Sequence, residues 1–91
     1  MVEPIGKFIV TLHAMEQMRR RGIDEPTLES VLSAPERRQP VRPGRDVVER
    51  VVAFHGRPYL VRVIVDVDRM PVEVVTVYRT SKIEKYRREM P

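Results

Sequence analysis

The chain reads as an α+β protein: a small antiparallel β-meander with two N-terminal helices and one C-terminal helix packed on it. Three observations predict this class. Residues 47–80 are three valine-rich runs separated by short turns that contain glycine or proline, the pattern of consecutive hairpins. Residues 12–33 hold two apolar patterns at helical spacing, each preceded by a capping residue. A basic segment then follows Ser81, which can cap a last helix over 82–89.

In chain order, Lys7 to Val10 is short and β-branched and reads as an edge strand. Thr11 can cap a helix over about 12–21, because its hydroxyl accepts from an orphan backbone N–H. Gly22 closes that helix in the left-handed conformation at no steric cost. Asp24 caps a second helix, in which Pro26 is tolerated in the first turn and Leu28, Val31 and Leu32 share a face. Pro35 ends it. Residues 35–46 hold Pro35, Pro40, Pro43 and Gly44 among arginines, and are expected to form a basic loop. The strands follow at 47–55, 59–67 and 72–80. The last two are apolar on both faces near their middles, so helices should cover one face and something else part of the other.

At 91 residues the chain has room for one domain, 1–91, with a modest core. Hydrophobic residues make up 42%, above what a disordered chain carries. With zero cysteines there are no disulfides and no thiolate metal sites. No run approaches a membrane span of about 18 apolar residues, and no secretory segment opens the chain. The expectation is a soluble, cytoplasmic protein with no membrane partner and no cofactor. Its oligomeric state is not legible.

The net charge is +4, and its distribution is uneven. Residues 36–45 hold four arginines against Glu36, and residues 79–89 hold five cations against Glu84 and Glu89. Arginine outnumbers lysine, and its planar fork suits phosphate recognition. These cations mark a candidate nucleic-acid surface: Arg37, Arg38, Arg42, Arg45, Lys82, Lys85 and Arg88, with Tyr86 able to stack on a base. A solvated charged face is the plain alternative.

The helix over 12–21 adds chemistry. At about 100° per residue, Ala14, Met15 and Met18 fall on one side, and His13, Gln17 and Arg21 on the other with Arg20 beside them, a stripe that suits an anionic ligand such as a phosphate and adds Gln17 and Arg20 to the candidate nucleic-acid contacts. An imidazole near neutrality suits proton transfer, and arginines stabilise charge on a phosphorane. His13 is therefore a candidate catalytic residue, or else a helix-start histidine bonded to backbone or to Glu16. Arg21 is a phosphate clamp or a cation that complements the helix dipole. Arg62 interrupts an apolar strand and must point to solvent, a partner or a cleft. Arg79 ends the last strand next to the basic helix. Metal ligation is not expected, because only His55 and scattered carboxylates accompany His13.

The run His13-Ala14-x-x-x-Met18-x-x-Arg21-Gly22-Ile23, the acidic second helix, and Val74-Val75-Thr76-Val77-Tyr78 before a basic end resemble the bacterial domain of unknown function 4258. The resemblance covers about Phe8 to Tyr86. That family often has arginine where this chain has Gln17, an amide that hydrogen-bonds without charge. The order of elements is also similar to that of the RelE-like and BrnT-like ribonuclease toxins. That second resemblance implies metal-independent RNA cleavage, with RNA or the ribosome as target and an acidic antitoxin as partner. Two functions stay open. One is an endoribonuclease with His13, Arg21, Arg62 and Arg79 converging on one cleft. The other is a non-catalytic module that binds nucleic acid or protein through the same basic surface. Catalysis needs His13 near a sheet arginine, whereas binding needs only a positive face.

Overall fold

A computed structural model describes residues 2–88, the side chain of Arg88 excepted. The chain forms β1 (Phe8–Val10), α1 (Leu12–Arg21), α2 (Glu25–Ser33), β2 (Arg37–Arg42), β3 (Arg45–Phe54), β4 (Arg57–Asp66), β5 (Val72–Thr80) and α3 (Ile83–Arg88). The class is α+β, with one five-stranded sheet in the order β1-β5-β4-β3-β2. The antiparallel meander runs from β2 to β5, and β1 joins its far edge in parallel with β5. Glu89, the expected end of the last helix, lies outside the described residues.

The two long helices start and stop where side chains satisfy their ends. Thr11 Oγ1 accepts from the Ala14 N–H at 3.2 Å, and Gly22 closes α1 at φ 65°. Asp24 Oδ1 accepts from the Thr27 N–H at 2.9 Å to start α2. Both helices lie on one face of the sheet. Ala14, Met18, Leu28, Val31 and Leu32 pack there against Val48, Val61, Val63, Val65, Val74 and Val77. In β5 the register shifts by one residue opposite Ile64 and Val65. This bulge is why Val74 and Val77, three residues apart, face the same core.

Residues 35–46 depart from the expected loop, since Arg37–Arg42 form an edge strand paired antiparallel to β3. Proline breaks a central ladder but is tolerated at an outer edge, which accommodates Pro40 opposite Asp46. The hairpin closes at Gly44, with φ 82°, where a Cβ would come within 2.7 Å of the Asp68 carboxylate. The next turn is also tighter than the sequence suggests. His55 and Gly56, at φ 51° and 78°, form a two-residue turn with the twist that suits a hairpin. Arg57 therefore already belongs to β4.

The second face of the sheet differs. Val47, Glu49 and Leu60 are buried on it, Glu49 completely. There Tyr86 of α3 lies over Arg62, and Arg87 of α3 bonds Glu36 Oε1 at 2.7 Å.

Candidate nucleic-acid interface

The polar side of α1 is built into the fold. Strand β1 covers the outer edge of β5 only from Val72 to Val74. Beyond that, α1 takes the place of a strand. Gln17 Oε1 accepts from the Val77 N–H at 3.0 Å, and Arg21 Nη1 donates to the Val77 carbonyl at 3.0 Å. Buried backbone groups need such partners, and here two side chains provide them. An arginine at position 17 could not accept from that N–H. His13 is exposed and has no hydrogen-bond or ion-pair partner among the described residues. It stands eight residues before Arg21, or about 12 Å along the helix.

Arg79 sits at the other end of that contact. It pairs with Val61 in the β4 register and so faces the helices. Its guanidinium is 4.1 Å from the Phe54 ring centroid and 4.6 Å from that of Tyr59. The two rings meet edge to face, 5.5 Å apart. Gly22 adjoins it, since a Cβ there would lie 3.9 Å from Arg79 Nη2. Arg57, exposed and in register with Phe54, shares this face. Arg79, Arg57, Arg20, Lys82 and Lys85 make no ion pair with any described residue. Arg79 and Arg57 therefore stand together on this face without an ion pair to a described residue, and two π faces hold Arg79 in place.

Arg62 does not converge with them. Side chains alternate along a strand, and its neighbours Val61 and Val63 face the helices. Arg62 therefore points to the second face. Its Nη1 donates to the Tyr78 hydroxyl at 2.7 Å, and its Nε stands 3.2 Å from Glu49 Oε2. Neither that Nε nor either Glu49 carboxylate oxygen has a hydrogen-bond partner among the described residues. The Tyr86 ring caps the guanidinium at 4.3 Å. Burial pushes the Tyr78 hydroxyl pKa up, and the Arg62 charge opposes that rise. His13 and Arg21 thus stand on α1 and Arg79 beside its C-terminal end, while Arg62 lies across the sheet, and the single four-residue cleft does not form.

The arginines of 37–45 also differ from expectation, because most are engaged inward. Arg38 Nε pairs with Asp46 Oδ2 at 2.9 Å, and Arg38 Nη1 donates to the Glu3 carbonyl. Arg45 holds Asp66 through two bonds of 2.6 and 3.1 Å. The Arg45 hydrogen bond keeps the Asp66 carboxyl below its ordinary pKa. Arg37 donates to the Arg87 carbonyl, and only Arg42 stays exposed without an ion pair to a described residue. At Glu36, burial raises the pKa, but the Arg87 guanidinium and the Val51 N–H outweigh it and the carboxyl stays low. The side chain of Arg88 lies outside the described residues.

Sequence reasoning missed Glu49, although a signal was present. A two-residue turn at 55–56 fixes a register in which Glu49 faces Arg62, so the two charged residues inside apolar strands form a cross-strand pair. Among the described residues no three His, Asp or Glu side chains group to hold a metal, and no helix is long and apolar enough to cross a membrane. No curated protein and no solved structure matches the chain. The profile of Domain of unknown function (DUF4258) matches residues 10–79. That span takes in α1 with its capped ends, Gln17 and Arg21 on the β5 edge, and the sheet down to Arg79. The chain belongs to the DUF4258 family.

Proposed function

We propose that this protein binds RNA through its phosphate backbone at the end of the sheet around Arg79. The observation that carries this reading is a pair of arginines there, Arg79 and Arg57, without an ion pair to any described residue. Arg79 is held between Phe54 and Tyr59, with Arg57 on the same face. A guanidinium fixed by rings rather than by a carboxylate keeps its N–H edges for phosphate and loses little freedom on binding. Arg20, two residues before Gly22, and Lys82, two after the end of β5, add exposed positive charge in the adjoining chain segments, while Lys85 lies by Tyr86 on the second face. RNA is taken ahead of DNA on the resemblance of the element order read from the sequence to that of the ribonuclease toxins. An acidic protein partner, or the ribosome, would use the same surface.

The test is an anisotropy titration of a labelled single-stranded RNA with the full chain at several salt concentrations. Binding at low salt that weakens steeply as salt rises is expected, because phosphate contacts release counterions. Absent or salt-insensitive binding would defeat the proposal.

Cleavage is the second reading, favoured by the exposed His13 imidazole on the polar side of α1. A metal-free RNA-cleavage assay tests it. If His13 carries the proton, His13→Ala loses about 10²–10⁴ in rate. Equal activity in His13→Ala would remove His13 from the mechanism. No cleavage by purified wild type leaves binding as the function.

A further inference from the structure

Helix α1 has a second flank that the RNA surface does not use. At about 100° per residue, Leu12, Met15 and Arg19 lie on the side away from His13, Gln17 and Arg20. Leu12 is 83% exposed, and Met15 and Ile9 are each 48% exposed. Beside them an apolar groove runs between β1, α1 and the start of α2, with Val10, Met15, Met18 and Ile23 along it. Arg19 stands on its α1 rim, and Asp24 and Glu25 on its α2 rim. An apolar projection of this exposure is unusual in a chain that buries its other leucines, Leu28, Leu32 and Leu60, almost completely.

We propose that this flank joins two copies of the chain across a two-fold axis. In such a contact the same patch serves both partners, so it must contain both halves of each interaction. This patch does, because a projecting Leu12 adjoins an apolar groove, and a cation on one rim faces acids on the other. Charge points to the same occupant. Two chains of net charge +4 repel each other, and they meet most cheaply where positive charge is cancelled. Here Arg19 is set against Asp24 and Glu25. An acidic partner would find no excess of positive charge on this flank and would be drawn to the Arg79 end. Strand addition is a minor part of the contact, because β1 is only three residues long. The dimer leaves the polar flank of α1 and the Arg79 end open to solvent.

Sedimentation equilibrium of the full chain over a wide concentration range tests the proposal. Wild type is expected to show a monomer–dimer equilibrium that persists at high salt, where RNA binding has faded. Leu12→Glu, with helix and sheet content checked by circular dichroism, should raise the dimer Kd about tenfold or more. Arg19→Glu and Glu25→Arg should each weaken the dimer, since each places like charges across the axis. An equal mixture of the two variants should dimerise better than either alone, because both cross pairs then become opposite in sign. A wild type that stays monomeric throughout would overturn the dimer. So would a Leu12→Glu variant that dimerises as wild type does, a mixture no tighter than its components, or occupation of this flank by a different protein in place of a second copy.

Discussion

Two arginine-rich regions look alike in sequence and differ in the fold. Around β2 and β3, the paired strands place Asp46 and Asp66 within reach of Arg38 and Arg45, and a backbone carbonyl takes Arg37. Around the end of β5, the neighbours of Arg79 are Phe54, Tyr59 and Gly22. The same residue type therefore fastens a hairpin in one place and presents charge in the other. A run of cations becomes a partner surface only after the acids on adjacent strands are subtracted.

Arg62 is the extreme inward case, and its loss is expected to have the largest effect. Arg62→Leu leaves Glu49 buried without its cation, a change that typically costs about 3–5 kcal/mol. Urea unfolding should show it, while Glu49→Leu combined with Arg62→Leu should recover most of the loss. A single Arg62→Leu as stable as wild type would mean that the pair is not structurally coupled. Gln17→Arg comes next. It removes the acceptor for the Val77 N–H, and a buried donor left unpaired costs about 1–3 kcal/mol. Gln17→Glu keeps an acceptor and should cost less, whereas equal losses would rule out the hydrogen bond as the cause. Arg79→Ala should change stability least, by about 0.5–1 kcal/mol, because it removes only the stacking of the guanidinium on the two rings. A loss as large as that of Arg62→Leu would make Arg79 a structural residue and break the contrast between the two regions.

Acid should loosen the inward arginines selectively. Asp66 and Glu36 have carboxyls held below their ordinary pKa. Their stabilisation is fully present above the unfolded-state value of about 4 and is lost as pH falls through the lower folded values. Asp24, lowered mainly by its hydrogen bond to Thr27, behaves in the same direction. A urea midpoint that drops below about pH 4 is expected, with a shallower drop in Asp66→Asn. Both groups are near the surface, so salt should shrink the effect. An equal drop in Asp66→Asn and wild type would show that the Arg45 contact does not contribute.

The helices were legible because their signals are local. Thr11, Gly22 and Asp24 act on backbone within three or four residues, and each is found capping as expected. The meander was legible because valine alternation and turn residues fix short hairpins. Strand β2 was not, because Pro40 and the flanking arginines carry no apolar alternation, and Arg38 finds its acid, Asp46, only on the paired strand β3. Gln17 read as part of a ligand-facing stripe, whereas its partner lies 60 residues away. Only the tertiary position of α1 beside an unpaired strand edge reveals that role. The proposed convergence on one cleft failed for a geometric reason: Arg62 and Arg79 stand an odd number of residues across the ladder, so they face opposite sides.

The most direct measurement compares RNA affinity among single arginine variants under one set of salt conditions. Arg79→Ala and Arg57→Ala should each weaken binding and reduce the salt slope by about one for each phosphate that the variant no longer neutralises. Arg38→Ala and Arg45→Ala, whose guanidiniums are already held by carboxylates, should bind as wild type does. Weakened binding in the Arg38 and Arg45 variants, with the Arg79 and Arg57 variants unchanged, would contradict the account.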